Sequence, residues 1–163
     1  MEQAVRIRTP PPDLWSEHLT MPTHRAPRRC SSYAEKEVGD IAYAYLVHKY
    51  SKTAVEDHRN KYGPDFRVSP NQTRTFLVDC KRSQPDKRAG NGVPDRAVGQ
   101  MVRYHRRTGL PVFLVAPDDW RKERTQGEGS GDSWKTQVEK SLRFVRLSGK
   151  IKVVCLGEMK SRL

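Results

Sequence analysis

A continuous apolar run from Pro111 to Ala116 constrains the fold of this chain most, because it contains no polar side chain to face water. Short apolar runs of this kind are typical of strands that are buried on both faces of a sheet. The periodicity upstream predicts a helix from Pro94 or Asp95 to Thr108, and a further strand, Thr75–Cys80, precedes that helix. Strand, helix and strand in this order favour a parallel crossover. We therefore expect an α/β protein with a central mixed sheet flanked by helices.

The first half of the chain predicts a helix followed by a hairpin. Ser32 and Glu35 have the spacing of a capping box, and the helical pattern after them extends to about Tyr50. A short strand is expected near Thr53–Val55. A strand starting at Asp65 would then pair with Thr75–Cys80 around a turn at Pro70, Asn71 and Gln72.

The C-terminal third leaves two interpretations open. Trp134, Val138, Leu142 and Val145 recur at the spacing of an amphipathic helix, which would be followed by a strand from Ile151 to Leu156. Alternatively, residues 142–147 form one arm of a hairpin that turns at Ser148 and Gly149.

The composition is that of one basic domain. The chain has 163 residues and a formal net charge of +12, which favours a polyanionic partner such as nucleic acid, although charge that serves solubility alone is the alternative. Residues 1–30 are rich in proline and arginine and predict an extended or disordered basic arm. We therefore expect residues 31–163 to form the single domain. Its core would be residues 31–117, and residues 134–157 would add a C-terminal helix and strand. No apolar stretch approaches the roughly 20 residues of a membrane span. The three scattered cysteines favour a reducing, intracellular compartment.

Two acids and a lysine stand where strands would bring them together. Asp65 begins one strand of the predicted hairpin, and Asp79-Cys80-Lys81 ends the other. Residues n and n+2 of a strand face the same side, so Lys81 is expected to point with Asp79, and Cys80 away from it into apolar packing. Asp65, Asp79 and the carbonyl of Cys80 offer oxygen ligands to Mg²⁺, with Mn²⁺ as a substitute. A lysine beside such a metal can orient an attacking water or stabilise charge that develops on a phosphate.

Two helices flank this predicted site. A third acid would come from the first helix, where Glu35 leads a more apolar face than Glu37 does, and a solvated helix-start acid is the alternative for either. Gln100 lies on the second helix and is a candidate to contact the metal-bound water or a phosphate; a surface glutamine is the alternative. The candidate phosphate-binding residues of the basic stretch after the site are Arg82, Lys87, Arg88, Arg103, Arg106 and Arg107.

These residues together resemble the PD-(D/E)XK nuclease superfamily. The likeness covers about residues 31–117 and is carried by Glu35, Gly63-Pro64-Asp65, Val78-Asp79-Cys80-Lys81 and Gln100. It implies a restriction-endonuclease-like core, with Glu35, Asp65, Asp79, Lys81 and Gln100 as catalytic residues. It also implies dependence on Mg²⁺ and cleavage of DNA to leave 5′-phosphate ends.

Within that superfamily the small size is similar to that of archaeal-type Holliday junction resolvases. The stretch Asn60–Asp65, together with Gly109-Leu110-Pro111-Val112, also resembles the virus-type replication-repair nuclease modules. Both likenesses imply a nuclease for branched DNA that acts in recombination or repair. A homodimer is a possible form of such a nuclease. A sequence-reading restriction or defence nuclease and a non-catalytic DNA-binding protein remain alternatives.

Overall fold

The structure, a computed structural model, describes residues 33–83, 92–123 and 131–163. The predicted arm at 1–30 and the residues Lys87 and Arg88 lie outside these ranges. In the described part, five strands form one mixed sheet in the order β1-β2-β3-β4-β5. The strands are β1 (Val55–Asp57), β2 (Phe66–Asn71), β3 (Arg74–Cys80), β4 (Val112–Ala116) and β5 (Ile151–Cys155). The helices are α1 (Glu35–Tyr50), α2 (Gly92–Thr108), α3 (Trp134–Phe144) and the short α4 (Met159–Arg162). The prediction of an α/β protein with a mixed sheet flanked by helices is confirmed.

The first three strands form an antiparallel meander. β2 and β3 pair with Phe66 opposite Val78, which confirms the predicted hairpin, and β1 adds to the outer edge of β2. The turn is shorter than expected, because Pro70 and Asn71 still belong to β2. The strand predicted at Thr53–Val55 begins only at Val55, because a 3₁₀ turn occupies Lys52–Ala54.

The last three strands are parallel, as the order of elements predicts. α2 connects β3 to β4, and α3 lies between β4 and β5. α2 ends before Gly109, which has a φ of 69°, a conformation that glycine adopts without strain. The helical interpretation of the C-terminal third is confirmed, and the hairpin alternative is wrong. Val145, which the sequence pattern predicts on the apolar face of this helix, is exposed because the helix ends one residue before it.

The sheet separates two apolar clusters. On one side α1 packs on Phe66, Val68, Phe76, Val78 and Cys80. On the other side α2 and α3 pack on Leu77 and on residues of β4 and β5, with Trp120 and Trp134 in edge contact at 5.2 Å. Successive side chains of β3 alternate between the two clusters, with Phe76, Val78 and Cys80 on the α1 side and Leu77 on the α2 side. Asp79 follows Leu77 by two residues and therefore faces α2. Within the described ranges, no helix is long and apolar enough to cross a membrane.

Candidate active site

Asp79 and Lys81 meet on the α2 side of the sheet, at the carboxyl end of β3. Cys80 is fully buried on the opposite side, and Lys81 keeps the strand alignment because its backbone N–H donates to the carbonyl of Val115 at 2.9 Å. Asp79 and Lys81 therefore share a face, and Lys81 Nζ lies 2.6 Å from Asp79 Oδ2. Only 3% of Asp79 is exposed, so this carboxyl group lies inside the protein.

Asp65 is held against the same strand end by a backbone hydrogen bond. It directly precedes β2, and its Oδ2 accepts a hydrogen bond from the backbone N–H of Cys80 at 2.7 Å. The hairpin register makes this contact possible, because Phe66 lies opposite Val78 and the chain before Phe66 therefore runs beside Asp79 and Cys80. The structure thus brings together the two acids and the lysine that the sequence analysis singles out.

The carboxyl groups are electrostatically unfavourable when ionised together. Burial raises the pKa of Asp79 to about 7, and although Lys81 opposes this shift, the neighbouring charge of Asp65 adds to it. Burial also raises the pKa of Asp65; its bond to the Cys80 N–H lowers it, and the charge of Glu35 raises it. Burial lowers the pKa of Lys81, but the charges of Asp79, Glu35 and Asp65 outweigh it, so the net shift is upward. The site therefore has an excess of negative potential that a cation would relieve.

Glu35 and Glu37 have different roles at the start of α1. The Glu37 carboxylate accepts a hydrogen bond from the backbone N–H of Ala34 at 3.2 Å, so it supplies the helix cap that the sequence analysis assigned to Glu35. That assignment is wrong because α1 begins at Glu35 rather than before it. Glu35 is exposed, and its charge acts on Asp65, Asp79 and Lys81. Of the two acids, Glu35 is the one with an electrostatic contribution to the site.

A pair of hydrogen bonds holds the start of α1 near the site. The backbone N–H of Tyr33 donates to Ser83 Oγ at 2.8 Å, and the backbone N–H of Ser83 donates to the carbonyl of Tyr33 at 3.0 Å. The segment that follows β3 is thereby tied to the residues that precede α1. This contact explains how an acid from the opposite side of the sheet reaches the edge where Asp79 lies.

Gln100 contacts Lys81 and is itself held by a tyrosine. Lys81 Nζ donates to Gln100 Oε1 at 2.8 Å, and Gln100 Nε2 donates to Tyr104 Oη at 2.7 Å. Tyr104 is a buried residue whose pKa is raised by burial and by the charge of Asp79. Tyr104 is not among the residues predicted from the sequence. Its position four residues after Gln100, on the same face of α2, is the signal that would have found it.

The oxygens at the site fit a hard divalent cation. Asp79 Oδ2 is buried and, apart from its ion pair with Lys81, has no hydrogen-bond partner among the described residues. Those residues contain no group of three or more histidine, cysteine, aspartate or glutamate side chains placed to hold a metal. Mg²⁺ does not require such a group, since one or two carboxylates and several waters suffice. The thiol of Cys80 lies in apolar packing, and burial raises its pKa well above its ordinary value, so only its carbonyl is a candidate ligand.

The predicted phosphate-binding residues are placed unequally. The side chain of Arg82 is exposed next to the site, while its carbonyl accepts a hydrogen bond from Trp120 Nε1 at 2.9 Å. Arg103, Arg106 and Arg107 are exposed on α2. Arg103 and Arg107 lie on the line of Gln100, whereas Arg106 is rotated from that line by about a quarter turn.

Comparison with known proteins adds no family. The chain matches no protein-family model, no curated protein and no solved structure.

Proposed function

We propose that this protein is a metal-dependent DNA endonuclease with a restriction-endonuclease-like core. The observation that carries the proposal is the convergence of Asp65, Asp79 and Lys81 at one strand end, with Asp79 buried and its pKa raised to about 7. A buried carboxyl group in this state lowers stability, and clustered groups with perturbed pKa values are typical of functional sites. A purely structural role for Asp79 does not account for that cost.

The chain's own residues supply three parts of a phosphodiesterase mechanism. Asp65 and Asp79, with the Cys80 carbonyl, would hold Mg²⁺ or Mn²⁺, which when bound lowers the pKa of a water and neutralises phosphate oxygens. Lys81 directs its ammonium group to the same point and stabilises the charge that develops during cleavage. Gln100 and Tyr104 fix the position of that ammonium group.

The basic charge of the chain supports DNA as the substrate. The formal net charge of +12 favours a polyanion, and exposed arginines lie on the helix that carries Gln100. The preference for branched DNA, as in a Holliday junction resolvase, rests on the resemblance of the motifs. A role in recombination or repair follows from that preference.

Cleavage of a defined set of DNAs tests the proposal. Linear, flapped and four-way DNAs would be incubated with the full chain and Mg²⁺, with Asp79→Asn and excess chelator as controls. We expect nicks with ligatable 5′-phosphate ends in the wild type only, and faster cleavage of the four-way DNA. Cleavage of linear DNA at a fixed sequence would instead favour a restriction or defence nuclease. Binding without cleavage at any metal concentration would favour the non-catalytic DNA-binding protein.

A further inference from the structure

The sheet is covered unevenly on the side of the candidate site. α2 and α3 pack on residues of β3, β4 and β5, and no residue of β1 or β2 belongs to that apolar cluster. The two outer strands, β1 and β2, direct polar side chains to this side. Arg67 of β2 lies opposite Glu56 of β1 and Leu77 of β3, and it faces the same side as Leu77, which packs in the cluster with α2. The side chain of Arg67 is exposed. Ser69 and Thr75 are linked across the strands, with 3.1 Å between their hydroxyl oxygens. Arg67, Ser69 and Thr75 form a polar surface, here called the floor, that no described helix covers.

α2 forms a wall beside this floor. Arg96, Gln100, Arg103 and Arg107 follow one another at spacings of four, three and four residues, so they lie on one line of the helix. Gln100 marks where the line meets the site, because it accepts the hydrogen bond from Lys81. Arg96 and Arg103 lie on either side of Gln100, about 6 Å and about 4.5 Å away along the helix axis.

The arginines of floor and wall have no acidic partner within the described residues. Arg67, Arg96, Arg103 and Arg107 form none of the ion pairs found there, whereas Arg59 and Arg121 each pair with aspartate. The one acid of β1 on this side, Glu56, faces His58, with 3.2 Å between Glu56 Oε2 and His58 Nε2. Unpaired guanidinium groups on two adjoining surfaces are available for phosphates, which they bind in a bidentate manner.

We infer that the backbone of duplex DNA lies between the floor and the α2 wall. Arg67 contacts phosphates from the sheet, Arg96 and Arg103 contact them from the helix, and the scissile phosphate reaches Asp79 and Lys81 where the two surfaces meet. The inference rests on the proposed function and adds Arg67 and Arg96, which the charge of the sequence alone does not distinguish. Floor and wall present guanidinium, amide and hydroxyl groups, and none of the residues that define them is aromatic, so they suit the backbone of a duplex rather than stacked, unpaired bases. The exposed Tyr62 is not one of those residues.

Equilibrium binding in excess chelator tests the inference separately from cleavage. The full chain would be titrated onto a labelled 30-base-pair DNA duplex at several salt concentrations, with fluorescence anisotropy as the readout. The variants are Arg67→Glu, Arg96→Glu and Arg103→Glu. We expect each to raise the Kd roughly tenfold and to reduce the salt slope by about 1, as for loss of one phosphate contact.

Two matched controls carry the same charge change. Arg143→Glu lies on α3, outside both floor and wall, and Arg162→Glu lies on α4, which packs through Met159 in the cluster on the α1 side. Both are expected to change the Kd less than threefold, with thermal unfolding confirming that all variants fold.

Three results overturn the inference: equal weakening by all five variants, no weakening by the floor and wall variants, or tighter binding of a single-stranded DNA or an RNA duplex of the same length. If the wild type binds the duplex through these arginines but never cleaves DNA with Mg²⁺, the inferred binding of DNA between floor and wall is supported and the proposed function is wrong. If the wild type cleaves DNA while Arg67→Glu and Arg96→Glu bind the duplex as tightly as the wild type does, the proposed function is supported and the inferred binding between floor and wall is wrong.

Discussion

Two ion pairs of similar length behave in opposite ways in this protein. Lys81 Nζ lies 2.6 Å from Asp79 Oδ2, and Arg59 Nη1 lies 2.6 Å from Asp40 Oδ1. Arg59 also bonds Asp57, with 2.7 Å between Nη2 and Oδ2, and these bonds lower the pKa of Asp57 despite some burial. Burial raises the pKa of Asp79 to about 7 although its lysine is just as close.

The two ion pairs differ in their exposure to solvent and in the number of hydrogen bonds that each carboxylate accepts. Arg59 sits at the surface, where its planar fork joins the end of β1 to α1 and stacks over the rings of Tyr43 and Phe66, each at 5.3 Å. Asp79 has lost its water, and a second acid, Asp65, lies beside it. The first arrangement contributes to stability, whereas the second costs stability and is suited to bind a cation.

Replacing Asp79 with alanine is expected to have the largest effect. Asp79→Ala removes a proposed metal ligand, so cleavage should fall below detection while DNA binding is retained or tightens through loss of a negative charge. Single-turnover cleavage and anisotropy measure the two effects. Asp57→Ala, from the surface ion pair, is the control and should leave the cleavage rate within about twofold. Wild-type cleavage in excess chelator would contradict the assignment of a metal site.

Lys81→Ala should slow single-turnover cleavage roughly a hundredfold, as for loss of one group that stabilises the transition state. The Kd for DNA should change little, because in the proposed mechanism the ammonium group acts mainly during turnover. Lys135→Ala is the matched control. Lys135 is similarly buried, with 15% of its side chain exposed against 14% for Lys81. It pairs with Glu158, which follows β5, and 2.7 Å separates Lys135 Nζ from Glu158 Oε1. Equal rates for the two variants would mean that Lys81 has no special role.

Tyr104→Phe should slow cleavage about five- to tenfold, because it removes one hydrogen bond that orients Gln100 and, through it, Lys81. In the proposed mechanism Tyr104 is a positioning residue, so the loss should appear in the single-turnover rate and not in the Kd for DNA. Tyr45→Phe is the control, since Tyr45 is buried on the α1 side and donates to the Met159 carbonyl at 3.0 Å. Equal slowing by both variants would indicate a general loss of stability instead.

Asp79→Asn should stabilise the metal-free protein at pH 8. Because the folded-state pKa of Asp79 is raised to about 7 from 3.8, the folded state binds its proton more tightly than the unfolded chain does. The contribution of Asp79 to the free energy of unfolding is therefore most favourable below about pH 4 and is lost as the pH rises towards 7. We expect the variant to gain on the order of 2 kcal/mol at pH 8, since the buried charge is removed but a polar amide group must be buried in its place, and the Tm to rise by roughly 5 °C.

The surface ion pair gives the opposite control for that measurement. Arg59→Met should lower the free energy of unfolding by about 1 kcal/mol at pH 8. Its effect should shrink as the pH falls through the lowered pKa of Asp57, which needs its charge to bond Arg59. A loss of stability in Asp79→Asn at pH 8 would show that the pair with Lys81 stabilises the fold in the way that Arg59 does.

The hairpin, the parallel crossover and the opposite directions of Asp79 and Cys80 were all predictable from the sequence. Each depends on patterns of a few residues: the two-residue period of β3, the helical period of α2, and the apolar run of β4. The helix start and the strand near Thr53 were less well predicted, because element ends depend on individual hydrogen bonds such as the one from Ala34 to Glu37.

The sequence by itself determined that Asp79 and Lys81 share a face, since the period of a strand is local. Only the tertiary structure decided what meets them there. The hydrogen bond from the Cys80 N–H to Asp65 spans 15 residues and depends on the hairpin register. The hydrogen bond from Lys81 to Gln100 spans 19 residues and depends on how α2 packs against the sheet. Packing of distant segments sets both, and it also removes water from Asp79. Among the described residues, the same packing places no helix over the face of β1 and β2 beside α2, which composition and charge counts do not reveal.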